Sequence, residues 1–139
     1  MHRRAIITTG LASLAAAPAL AAAPTDTENA APPQVDLLPV GVPVIVDGRV
    51  RNYVFVRVRL HLAPGADVPA VTRKEPFFRE AIVRAAHQRP FTLPDDWQSV
   101  SAPRLEAAVM HVAPRLAGAG VVLRAETLSQ APRRRMTPR

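Results

Sequence analysis

Between Asp47 and Leu62 the chain commits itself to a β-sheet. Asp47-Gly48 is a two-residue hairpin signal, because a tight turn between right-twisted strands needs residues that tolerate positive φ. In the run that follows, Val54, Val56, Val58, Leu60 and Leu62 alternate with Tyr53, Phe55, Arg57, Arg59 and His61. Wound as a helix, those five aliphatic residues would scatter around the axis; as a strand they form one core face, leaving the other to solvent or a partner. The segment before the turn, Val40 to Val46, is rich in β-branched residues and supplies the pairing strand. Pro39 and Pro43 confine it to a sheet edge, since proline cannot donate to a ladder.

After Pro64-Gly65 the period changes. From Pro76 to His87, Phe77, Phe78, Ala81, Ile82 and Ala85 recur at helical spacing, with Pro76 suited to a first turn. Phe91 to Val100 reads as a loop. Ser101 then offers an N-cap to a second helix with Leu105, Ala108, Val109, Val112 and Leu116 as its apolar stripe and Arg104, His111 and Arg115 opposite. Pro114 is expected to kink its last turn, and Gly118 and Gly120 to stop it. A closing strand is expected over Val121 to Leu128. The order strand, strand, helix, helix, strand predicts an α+β fold: a small antiparallel or mixed sheet covered on one face by two helices.

The fold is bracketed by segments of different character. Residues 1–21 read as a signal peptide: His2, Arg3 and Arg4 form a basic start, Ala5 to Ala17 a mildly apolar core, and Ala19-Leu20-Ala21 a cleavage site whose small residues are Ala19 and Ala21. Arg3-Arg4 fits either a twin-arginine leader or a general secretory one. A third reading, an uncleaved inner-membrane anchor, has the length of a span but is weakened by Thr8, Thr9, Gly10, Ser13 and Pro18. The expected location is the periplasm. Residues 22–34 read as a disordered linker, 35–130 as the folded domain, and 131–139 as a disordered arginine-rich tail.

The net charge of +7 suggests a nucleic-acid binder until its distribution is considered. Of 18 basic residues, Arg3 and Arg4 lie in the leader and Arg133, Arg134, Arg135 and Arg139 in the tail, which leaves twelve against 11 acids in the body. No basic face fit for a row of phosphates is implied, and no nucleic-acid partner is expected. The tail's arginines offer a weak contact with anionic membranes, at ~1 kcal/mol per residue near the surface. With no cysteine, the exported domain stands on its hydrophobic core alone.

No catalytic constellation emerges. The four histidines, His2, His61, His87 and His111, lack metal-ligand spacing. Asp95-Asp96 reads as solvated turn residues, and Ser99 and Ser101 lie in no nucleophile elbow. No cofactor or metal is expected. Two features carry an interaction reading. Tyr53, Phe55, Arg57 and Arg59 mix aromatic and arginine side chains on one strand face, as interface cores do, although a solvated outer sheet face has the same pattern. Phe77 and Phe78 cannot both enter one core, so one is expected to meet the sheet and the other a neighbouring subunit; a bulky core corner is the alternative.

From Leu38 to Gln130, about two thirds of the chain, the residues resemble the periplasmic domain of the flagellar basal-body-associated FliL family. The resemblance rests on a proline-bearing first strand (PVGVPVIVDG), a long alternating strand (YVFVRVRLHL) and a proline-led helix (EPFFREAIVRAA). An acidic and aromatic loop (LPDDWQSV), a second helix (APRLEAAVMHVAPRL) and a final strand ending in Gln130 complete it. It implies a stomatin-like domain without enzymatic activity, ring-like self-association, and contact with flagellar stator or basal-body proteins. The chain departs from the family in its weak, signal-like leader and in Ser101-Ala102-Pro103-Arg104, where members commonly carry a glycine. A periplasmic binding or envelope-maintenance domain unrelated to motility is the rival reading.

Overall fold

The computed structural model describes residues 30–135; the expected leader, most of the expected linker, and residues 136–139, including Arg3, Arg4, Ala19, Ala21 and Arg139, lie outside the described residues. The elements are β1 (Gln34–Asp36), β2 (Val40–Val46), β3 (Arg49–Leu62), α1 (Val68–Thr72), α2 (Glu75–Gln88), β4 (Thr92–Leu93), β5 (Asp96–Val100), α3 (Ala102–Ala117) and β6 (Val122–Pro132). The fold is α+β, with an antiparallel sheet packed against helices.

β3 is the spine. β6 pairs with it antiparallel from Val54 to Leu62, so β2 and β1 share its other edge, β2 opposite Arg49 to Val56 and β1 opposite Arg59 to His61. Between them the chain bends at Leu38 and Pro39, while the Leu37 N–H still reaches the Val58 carbonyl at 2.8 Å. The Asp47-Gly48 turn has positive φ at both residues, 51° and 71°, as a primed two-residue hairpin requires. Pro43 lies opposite Tyr53, whose carbonyl accepts from Arg133 on the β6 side. Opposed residues in an antiparallel ladder point their hydrogen-bonding groups together or apart, so the missing N–H of Pro43 faces the open edge, where proline costs no ladder bond.

The core forms where the alternating face meets the helices. Val54, Val56, Val58, Leu60 and Leu62 are buried with Val40, Val42 and Val44, under Phe78, Ile82 and Ala86 of α2 and Leu105, Val109 and Ala113 of α3. Each helix thus buries an i, i+4, i+8 stripe. Ser101 sits at the N-cap of α3 with extended backbone, but its side chain makes no capping bond; its N–H is held by the Phe91 carbonyl. α3 continues through Pro114 as far as Ala117, so the kink expected there does not end the helix.

Four expectations are corrected. Residues 91–100 form the hairpin β4–β5, docked by side chains acting as strand partners: the Thr92 hydroxyl bridges the Ile45 N–H and C=O, and the Gln130 amide bridges those of Val100. A third helix, α1, is capped by Asp67 accepting from the Ala70 N–H. Gln34 is a strand residue, not linker, because β3 extends far enough to offer it a partner at His61. For the same reason β6 runs past Leu128 to Pro132, and Arg133 and Arg134 remain bonded to β3, so the start of the tail is ordered.

Candidate interaction surface

Of the six residues expected to meet a partner, the structure separates one completely. Phe78 is fully buried, belongs to the core and cannot contact another protein; Phe77, one residue earlier, is 51 % exposed. The helical step of about 100° between neighbours decides this: α2 can turn only one of them toward the sheet. Lys74 places its ammonium 5.4 Å from the Phe77 ring centroid.

The other four residues do share the outer face of β3, which is two surfaces in one. Around Tyr53 and Phe55 the cross-strand neighbours are small: Pro43 and Gly41 on β2, Ala131 on β6. A methyl group placed on Gly41 would lie 3.5 Å from Phe55, so that ring leans over the glycine, and Phe55 stays 45 % exposed. Toward β1 the face turns ionic. Arg59 grips Asp36 through two bonds, Nε to Oδ1 at 2.6 Å and Nη2 to Oδ2 at 2.9 Å. The Arg59 hydrogen bond holds the Asp36 carboxyl below its ordinary range, and Asp36 in turn raises Arg59. His61 Nε2 lies 2.6 Å from Glu126, and this hydrogen bond keeps the Glu126 carboxyl low. Arg124 reaches the same His61 nitrogen at 3.0 Å and Glu126 at 3.4 Å. A single ring nitrogen cannot donate to Glu126 and accept from Arg124 at once, so with the proton on Nε2 the arginine is left with Glu126. Arg57, opposite Ser129, is exposed and forms no ion pair among the described residues.

The aromatic half continues around the free edge of β2. Leu38 is 61 % exposed at the bend, its N–H bonded to Glu75 at 3.1 Å. Between this edge and α2 lies an open cavity of about 490 Å³ lined by Val40, Gly41, Pro76, Arg79, Val83 and Arg84, among others. Leu38, Phe55 and Phe77 are three exposed apolar side chains of this half, and on the outward side of β2 Pro43 is buried and Ile45 is bonded to Thr92, which leaves the backbone of Gly41 facing out. The alternation had marked Phe55; Leu38 was missed because an isolated leucine before a proline carries no periodic signal.

Asp96 is less solvated than a turn residue: it accepts from the Gln98 N–H and the Ser99 hydroxyl, the latter chiefly holding its pKa down. These bonds shape the start of β5 and bring no second carboxyl to it. Among the described residues no group of three or more metal-ligating side chains converges. Buried Asn52 went unnoticed in the sequence, since a lone polar residue at the start of a strand reads as part of a turn. No family model, no curated protein and no solved structure matches the chain.

Proposed function

We propose that this chain is a non-enzymatic, exported interaction module resembling FliL, which supports the flagellar motor or basal body by self-association and contact with stator or basal-body proteins. The observation that carries the proposal is the exposure of three large apolar side chains, Leu38, Phe55 and Phe77. Exposed apolar side chains beside free backbone groups suit strand addition or a packed protein interface. The order of elements from Leu38 to Gln130 supplies the flagellar part of the reading through the resemblance.

The test is a deletion strain complemented with wild type or with the double substitution Phe55→Ser, Phe77→Ser. Lost swimming in the deletion, restored by wild type and not by the surface variant, is expected. Unchanged swimming with flagella of normal number would sink the motor role and favour the envelope-maintenance reading. Export is tested separately: the periplasmic species should begin at Ala22, and Arg3→Lys with Arg4→Lys should block export if the route is the twin-arginine one.

A further inference from the structure

One end of the sheet gathers arginines that make no ion pair among the described residues. Arg49 and Arg51 lie at the start of β3, and Arg133, Arg134 and Arg135 follow β6; the antiparallel pairing of Val54 with Pro132 brings the two groups together. Asn52 holds them there. It is 4 % exposed, and its amide nitrogen donates to the carbonyls of Arg134 at 2.8 Å and Trp97 at 2.9 Å. Its oxygen accepts from the N–H groups of Tyr53 at 2.9 Å and Arg134 at 3.2 Å. Two donors and two lone pairs are the whole capacity of an asparagine side chain, and all are spent on backbone. With the Arg133 N–H bonded to the Tyr53 carbonyl at 2.7 Å, the chain after β6 is latched to the sheet.

Arg51, Arg133 and Arg134 line a depression of about 160 Å³ together with Val50 and Tyr53. None of the five arginines makes an ion pair among the described residues; Arg51 instead lies 5.9 Å from the Trp97 ring centroid. The acid on the same hairpin is Asp47, in the turn. Amid these charges Val50 is 44 % exposed. An exposed apolar side chain sharing a depression with Arg51, Arg133 and Arg134 matches the chemistry of a membrane interface, where cations meet phosphates and apolar groups enter the boundary beneath. A single-stranded nucleic acid would want a row of free aromatic faces; here Trp97, the one tryptophan, already faces Arg51, and the depression offers the half-buried ring of Tyr53.

We propose that this end of the sheet docks on an anionic phospholipid surface, and that the site is a folded cluster of Arg49, Arg51, Arg133, Arg134 and Arg135 around Val50, assembled by Asn52, rather than a loose charged tail.

The test uses the exported protein purified from cells and vesicles of phosphatidylcholine with or without phosphatidylglycerol, read by co-sedimentation and by Trp97 emission. Binding only to the anionic vesicles, lost at high salt, is expected. A basic residue near such a surface changes partitioning about fivefold, so Arg49→Gln with Arg51→Gln, both exposed and outside the tail, should weaken binding about 25-fold. Val50→Ser should weaken binding further and diminish the Trp97 shift. Asn52→Ala keeps every charge and should still lose affinity; because it removes buried bonds, the exposed arginine pair provides the test if that variant does not fold. Wild-type binding by the Arg49, Arg51 variant would overturn the proposal in favour of a free tail. Equal binding to phosphatidylcholine alone, or capture of soluble polyphosphate without vesicle association, would overturn the membrane assignment.

Discussion

Phe77 and Phe78 are adjacent, chemically identical and placed in opposite environments, so truncating each in turn measures how α2 is seated. Phe78 is fully buried between α2 and the sheet, in a stripe continued by Ile82 and Ala86. Removing a buried phenyl ring costs about 3–5 kcal/mol through lost transfer energy and the cavity left behind. A domain of this size has a total stability of ~5–15 kcal/mol and loses ~4–8 °C of Tm per kcal/mol, so Phe78→Ala should lower Tm by roughly 12–40 °C. Phe77 is 51 % exposed, with the Lys74 ammonium 5.4 Å from its ring centroid. An exposed cation–π contact contributes ~0.5–1 kcal/mol, so Phe77→Ala should stay within about 1 kcal/mol of wild type. Urea and thermal unfolding followed through Trp97 report both variants with one probe. Similar losses from the two substitutions would mean that α2 is rotated about its axis relative to the sheet, and the assignment of Phe77 to the interaction surface would fall with it.

Acid should weaken the fold through Asp36, Glu126 and Asp96, whose pKa values are all lowered by hydrogen bonds to the charged form. A depressed folded pKa gives stability that is present above the unfolded value, 3.8 for the aspartates and 4.5 for the glutamate, and is lost as pH falls through the folded one. Urea midpoints should therefore fall below about pH 4, with a shallower fall for Asp36→Asn; an identical acid limb in that variant would refute the Asp36 contribution. Gly48→Ala should cost ~1–2 kcal/mol by chemical denaturation, since an added methyl meets open space and only the backbone at φ 71° resists it. Gly41→Ala, where the new methyl would find Phe55 at 3.5 Å, should be nearly neutral in the same assay. Pro114→Ala should raise stability by about 2 kcal/mol, because it restores an N–H to the Met110 carbonyl inside a helix that already runs to Ala117, less about 1 kcal/mol for the freer unfolded chain. A drop in midpoint would show that the proline is needed where it stands.

The elements legible in the sequence were those whose own residues carry a periodic face. The alternation from Tyr53 to Leu62, the Asp47-Gly48 turn and the helical periods of α2 and α3 are local patterns; the strand, the turn and the helices formed where they were placed, while the buried stripes leave out Phe77 and take in Ala86 and Ala113. Their burial needs only some apolar layer to pack against, which is why the α+β class followed from element order. The candidate interaction surface was half legible for the same reason: Phe55 and Arg57 on the outer face of β3 follow from the period of two, whereas the choice between Phe77 and Phe78 depends on the rotation of α2 against the sheet.

The remainder was decided by groups far apart in the chain. β1, β5, the last residues of β6 and the ordered start of the tail have no hydrophobic period; they form because backbone groups near them find partners elsewhere. The Leu62 N–H donates to the Pro33 carbonyl at 2.9 Å, Gln130 reaches Val100, and Asn52 reaches Trp97 and Arg134. A hydrogen bond between residues 82 positions apart, such as that from Asn52 to Arg134, leaves no trace in local composition. Side-chain spacing determined which stretches could be strands or helices, and the long β3, by presenting two edges of backbone donors and acceptors, decided which polar segments were drawn into the sheet.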